Sequence, residues 1–109
     1  MTFAAAHALE TGPGREEHVI RLPAEVHDAD EGALRHALAR VPAGRPLVVD
    51  LGRTELIGLA PLYALADTAR RLRRGGHDVE LRRTNRGIRS MLRATNSEHL
   101  FRLGETRQE

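Results

Sequence analysis

Leu47-Val48-Val49-Asp50-Leu51-Gly52-Arg53-Thr54-Glu55-Leu56-Ile57-Gly58-Leu59-Ala60-Pro61-Leu62 runs from an apolar segment through a polar loop into the start of a helix. Leu47-Val48-Val49 shows no alternation of apolar and polar residues. Such a short unbroken run marks a central strand covered on both faces, and here it closes on Asp50. Downstream, Leu62, Leu65, Ala66, Ala69 and Leu72 fall on one helical stripe, while Asp67, Arg70, Arg71, Arg73 and Arg74 fall elsewhere. Pro61 suits the first turn, where a missing N–H costs nothing, and Gly75-Gly76 terminates the helix.

The same alternation of elements extends outward. Val79 and Leu81 alternate with Asp78, Glu80 and Arg82, the pattern of a half-exposed strand. Thr84 or Asn85 caps a helix presenting Ile88, Met91 and Leu92, with Asn96 near its end. Leu100-Phe101-Arg102-Leu103 reads as a last short strand, and residues 104–109 as a frayed tail. Upstream, Phe3 to Leu9 is a weak strand ending at Thr11-Gly12-Pro13-Gly14, and Val19-Ile20-Arg21-Leu22 is a strand stopped by Pro23. Asp28 or Asp30 caps a helix with Ala33, Leu34, Ala37, Leu38 and Val41 at spacings of three and four, ended by Pro42-Ala43-Gly44. Strands alternating with helices of this length predict an α/β fold with a mixed, mainly parallel sheet of about four or five strands and about three helices.

The chain has 109 residues, and 40% are hydrophobic, enough for one domain with one core, expected over residues 1–103. No apolar run approaches the roughly 20 residues that cross a bilayer, and the N-terminus has no signal-peptide pattern, so the cytoplasm is expected. Cysteine is absent, which excludes disulfides and thiolate chemistry. All 17 basic side chains are arginine. Residues 1–69 carry six arginines against ten acids, a balance of −4, and residues 70–109 carry eleven against five, a balance of +6. A basic half attracts nucleic acid or an acidic protein face, yet the only aromatics are Phe3, Tyr63 and Phe101, so stacking platforms for single strands are missing. A solvated arginine-rich helix face is the expected role, with no specific nucleic acid bound.

Residues 48–62 resemble the core motif of STAS domains, the family of bacterial anti-sigma factor antagonists. In that family a strand ends in Asp-Leu, a short loop follows, and then comes Ile-Asp-Ser-Ser-Gly-Leu. Ala24-Glu25-Val26-His27 stands where the family has Gly-Glu-Leu-Asp, and the order of elements agrees over roughly residues 18–103. The resemblance implies a regulatory binding module with an anti-sigma factor or kinase-like ATPase as partner, or, alternatively, an accessory subunit of a transporter ATPase. It also implies a docking site at Gly58, Leu59, Ala60, Pro61 and Tyr63. The family's switch is a serine at the start of the helix after the central strand, whose phosphate adds roughly −1.5 to −2 charge and breaks the contact. In this register the Asp-Ser-Ser-Gly motif is replaced by Gly58-Leu59-Ala60-Pro61, and Ala60, at the phosphoacceptor position, has no hydroxyl.

The remaining chemistry-bearing residues point to ordinary roles. Leu59 and Leu62 either face a partner or pack beneath the helix, and Tyr63 is the expected exposed anchor. Asp50 ends a central strand, where sites often lie, but a loop-capping carboxylate is the commoner use, and its pairing with Glu55 is thin support for acid–base work. His7, His18, His27, His36, His77 and His99 lack the close helical spacing of zinc ligands. Without lysine or Gly-x-Gly-x-x-Gly there is no phosphate-cradling loop, and Ser90 and Ser97 lack a nucleophile elbow. Thr54 and Thr95 could take a phosphate if exposed, but loop and helix-end roles are expected. No enzyme activity, metal or cofactor is expected, and a homodimer is compatible with the sequence.

Overall fold

The computed structural model describes residues 3–12, 15–42 and 44–107. The strands are β1 (Ala6–Gly12), β2 (Arg15–Arg21), β3 (Glu25–Val26), β4 (Leu47–Asp50), β5 (Leu56–Ile57), β6 (Val79–Arg82) and β7 (Arg102–Leu103). The helices are α1 (Glu31–Ala39), α2 (Leu59–Arg74) and α3 (Arg86–Ala94), with 3-10 turns at Asp28–Asp30 and Glu98–Leu100. The main sheet has the order β1-β2-β4-β6-β7. Only β1 and β2 are antiparallel, and the other neighbours run parallel. A mainly parallel α/β sheet with three helices is what the sequence predicts.

β4 is central and its four residues are all buried. One face of the sheet, through Ile20, Leu47, Val49, Val79 and Leu81, joins a single apolar cluster with α1, α2 and α3. Leu34 and Leu38, Leu62, Leu65, Ala69 and Leu72, and Ile88 and Leu92 are the helical contributions. Val19 and Val48 point to the opposite face, outside that cluster, and are nonetheless buried. In register they share rows with Glu80 and Arg102, and the next row holds Arg21, Asp50 and Arg82. The charges on this face pair with one another: Arg82 with Glu80 (2.9 Å) and Glu17 (3.5 Å), and Arg102 with Glu80 (2.9 Å). These ion pairs stand on the same face as the two valines, beside them in register.

Several boundaries differ from the sequence reading. β1 begins at Ala6, not Phe3, and extends through Gly12, while Pro13 and Gly14 of the expected turn, and Ala43 of the later stop, lie outside the described residues. β2 starts at Arg15, four residues before Val19, because antiparallel pairing with β1 carries the polar Arg15–His18 into the sheet. α2 starts at Leu59, which places Pro61 at its third position, still among the N–H groups without an intrahelical acceptor. Asn85 is the cap of α3, its side-chain oxygen accepting from the Ile88 N–H at 2.7 Å. The expected strand over 100–103 is a 3-10 turn followed by the two-residue β7. Residues 104–107, expected to fray, stay against the sheet. Gly104 N–H donates to the Leu81 carbonyl, Arg83 N–H to that of Glu105, and Arg107 N–H to that of Thr84. Backbone hydrogen bonds to Leu81, Arg83 and Thr84 hold this segment although its side chains are polar.

Val49→Asp places an unpaired charge where exposure is 0%, against Leu65 and Ala69 of the same cluster. Its cost is several kcal/mol, a large part of the 5–15 kcal/mol that stabilises a typical domain. Circular dichroism should show a protein unfolded or melting far below the parent. An unchanged midpoint would mean that this strand is not central.

Candidate functional site

The start of α2 is built by two short strands. β3 and β5 pair in parallel, Glu25 with Leu56 and Val26 with Ile57, so the two chains leave side by side. Gly58 N–H donates to the Val26 carbonyl at 2.7 Å. The 3-10 turn that follows β3 then meets the first turn of α2. Asp28 Oδ1 accepts from the Ala60 N–H at 3.0 Å, and Leu62 N–H closes the first helical bond on the Gly58 carbonyl. Gly58, the N-cap, has no side chain to do this itself, and a Cβ there would lie 2.4 Å from the Asp28 oxygen. A carboxylate from another element thus sits at the positive end of the helix, satisfying one of its free donors. The sequence predicts Asp28 or Asp30 as the cap of α1. Asp30 is the N-cap of that helix, but its carboxylate accepts from the His27 N–H at 2.8 Å, and neither side chain caps α1.

The loop between β4 and β5 is fixed at both ends. Asp50 Oδ1 accepts from the Gly52 N–H at 2.9 Å, Arg83 Nη2 lies 2.7 Å from Asp50 Oδ2, and Arg21 Nε lies 3.5 Å from it. Arg83 holds a left-handed backbone (φ 60°) and lays its guanidinium over Gly52, where a Cβ would come within 2.7 Å of it. Burial alone would raise the Asp50 carboxyl. Hydrogen bonds from Arg83 and Gly52, with the positive charges of Arg83 and Arg21, outweigh it and hold the group below its ordinary value. Thr54 is fully buried and donates its hydroxyl to the Pro23 carbonyl at 2.9 Å. Glu55 pairs with Arg107 at 2.7 Å, not with Asp50. Arg107 also donates to the Thr54 carbonyl, and Asn85 Nδ2 donates to the Glu55 carbonyl at 3.2 Å.

What this frame presents is apolar. Leu59 (42% exposed) and Tyr63 (46%) stand one helical turn apart, and Leu56 (46%) precedes them on β5. Leu62 is fully buried, so of the two leucines left open by the sequence, Leu62 packs and Leu59 does not. Gly58 and Ala60 are half-buried, and Pro61 is buried in the first turn, so Pro61 does not line the surface. Leu56 was missed because a two-residue strand has no readable periodicity. A groove of about 220 Å³ lined by Glu55, Leu56, Ile57, Gly87, Ile88 and Met91 adjoins this corner. Leu56, Leu59 and Tyr63 do not line the larger cleft of about 410 Å³ beside Phe3, Pro23 and His27.

Thr54 has no accessible hydroxyl for a phosphate, and the Thr95 hydroxyl donates to the Met91 carbonyl at 2.8 Å, the helix-end role. Among the described residues no three His, Cys, Asp or Glu side chains come together as a metal site would need. None of their helices is long and apolar enough to cross a membrane.

Two variants check the frame. Asp28→Ala and Gly58→Ala should each destabilise by about 0.5–2 kcal/mol, the range of a lost N-cap, and the double variant should lose little more than either, because both remove one contact. Calorimetric additivity of the two would show that they act separately. Because the Asp50 value is depressed, its stabilisation is fully present above about pH 4 and is lost as the pH falls through the folded value. The melting-point gap between wild type and Asp50→Asn should therefore stay constant from about pH 7 to 5 and narrow below about pH 4. A gap that narrows near neutrality would contradict the assignment.

Residues 10–103 match the family model described as Mlab, STAS domain. Three solved structures are similar to the chain. An anti-sigma-factor antagonist STAS domain protein from Planctomyces limnophilus is 15% identical, with TM-score 0.71, covering 94% of this chain and 92% of its own. An anti-sigma factor antagonist from Mycobacterium paratuberculosis is 23% identical, with TM-score 0.65 and coverage of 92% and 85%. The Bacillus cell fate determinant SpoIIAA in its phosphorylated form is 16% identical, with TM-score 0.64 and coverage of 91% of both chains. At these identities the likeness is one of fold. No curated protein matches the chain.

Proposed function

The chain belongs to the family of STAS domains, and on that premise we propose that it is a non-enzymatic cytoplasmic regulator that binds an anti-sigma factor or a kinase-like ATPase. The docking surface is the corner made by Gly58, Leu59, Ala60 and Tyr63, extended by Leu56. The observation that carries this reading is the exposure of three large apolar side chains on a frame pinned by Asp28, Asp50, Asn85 and Arg107. Exposed apolar clusters on a rigid support mark interaction sites, and an aromatic such as Tyr63 is a common anchor. Ala60 offers no oxygen to a kinase, and the Asp28 carboxylate already fills the anion position at its N–H. The contact is therefore permanent and not switched at residue 60.

Tyr63→Ala and Leu59→Asp alter exposed positions and should leave the fold intact. Each should weaken binding to the cognate anti-sigma factor at least tenfold, about 1.4 kcal/mol, by isothermal titration calorimetry. Affinity retained in both variants would move the docking surface elsewhere. Specific binding to a transporter ATPase instead of an anti-sigma factor would assign the domain to the accessory-subunit role.

A further inference from the structure

We infer that α2 also pairs with the α2 of a second copy of this chain, antiparallel about a twofold axis near Asp67. Of its 16 residues, only Leu59, Tyr63, Asp67, Arg70, Arg73 and Arg74 are exposed. All but Arg73 fall at spacings of four, four, three and four, which is one line about 22 Å long. Its first half is apolar, its middle acidic and its last half basic. Leu59 and Tyr63 stand as far before the helix midpoint as Arg74 and Arg70 stand after it.

A line of that composition complements itself when reversed. Antiparallel pairing sets the Tyr63 ring against the second copy's Arg70 guanidinium and Leu59 along the aliphatic stem of the second copy's Arg74, and symmetry makes each contact twice. The two helix dipoles then oppose each other favourably. Asp67 approaches its own copy at the axis, but each is already paired within its chain, to Arg35 at 3.0 Å and to Arg70 at 3.1 Å, so no bare like charges meet. Parallel pairing would instead stack the arginines of one helix on those of the other. This dimer shares Leu59 and Tyr63 with the proposed partner surface, so the two complexes exclude each other. Arg70 and Arg74 belong to the dimer alone, which makes the two readings separable.

Sedimentation velocity over about 10–500 µM should show a concentration-dependent monomer–dimer equilibrium, weakened at least tenfold by Arg70→Ala or Tyr63→Ala and unchanged by the exposed Arg40→Ala. The chain has no cysteine, so Asp67→Cys provides a single thiol at the axis. Oxidised glutathione should convert that variant to a disulfide-linked dimer, whereas Arg40→Cys should form no disulfide-linked dimer. A wild type that is monomeric throughout this range overturns the inference. So does a dimer that ignores Arg70→Ala or fails to cross-link through position 67. Neither failure touches partner binding, which Arg70→Ala should leave intact.

Discussion

A central strand of four residues, each buried, must be covered on both faces, and the rest of this molecule follows from how that is done. Three helices seal one face of β4 with leucine, isoleucine and alanine. The other carries ion pairs: Glu17, Glu80 and Asp50, little exposed, are matched by Arg21, Arg82, Arg83 and Arg102. Exposed pairs contribute little singly, but these acids are largely withdrawn from water, and removing one partner would leave a buried charge.

Asp50 connects this sheet to the site. Its carboxylate joins Arg21 at the end of β2 and Arg83 just past β6 to Gly52 in the loop after β4, and the loop is then held again at Thr54 and Glu55. By the time the chain reaches Leu56 it has little freedom, and β3 carries Asp28 to the start of α2. Rigidity matters because an apolar surface that is already ordered loses less entropy on binding. The same chain of contacts explains why Gly52 and Gly58 are glycines: side-chain groups of Arg83 and Asp28 occupy the space a Cβ would need.

The sequence revealed the elements that bury a long periodic stripe. Leu62 to Leu72, Leu34 with Leu38, and the apolar run at β4 all lie where their spacing puts them. Alternation at Val79 and Leu81 identified β6 for the same reason. It did not reveal β3 and β5, which are two residues each and exist through mutual pairing, nor the paired segment 104–107, whose side chains are polar. Of the proposed site, Leu59, Ala60 and Tyr63 are legible through a family motif read in register. The burial of Pro61 is not legible there, because burial of a first-turn residue depends on what packs above it. Asp28 was read as a local cap because partners more than 30 residues apart are invisible to spacing.

On the proposed reading this STAS domain makes a permanent contact at the head of α2, with no phosphate switch at residue 60. The most direct test is the dissociation constant for the cognate anti-sigma factor, measured before and after prolonged incubation with that partner and magnesium-ATP. One value is expected throughout, with a chain of unchanged mass. A loss of affinity accompanied by the mass of one phosphate would contradict it.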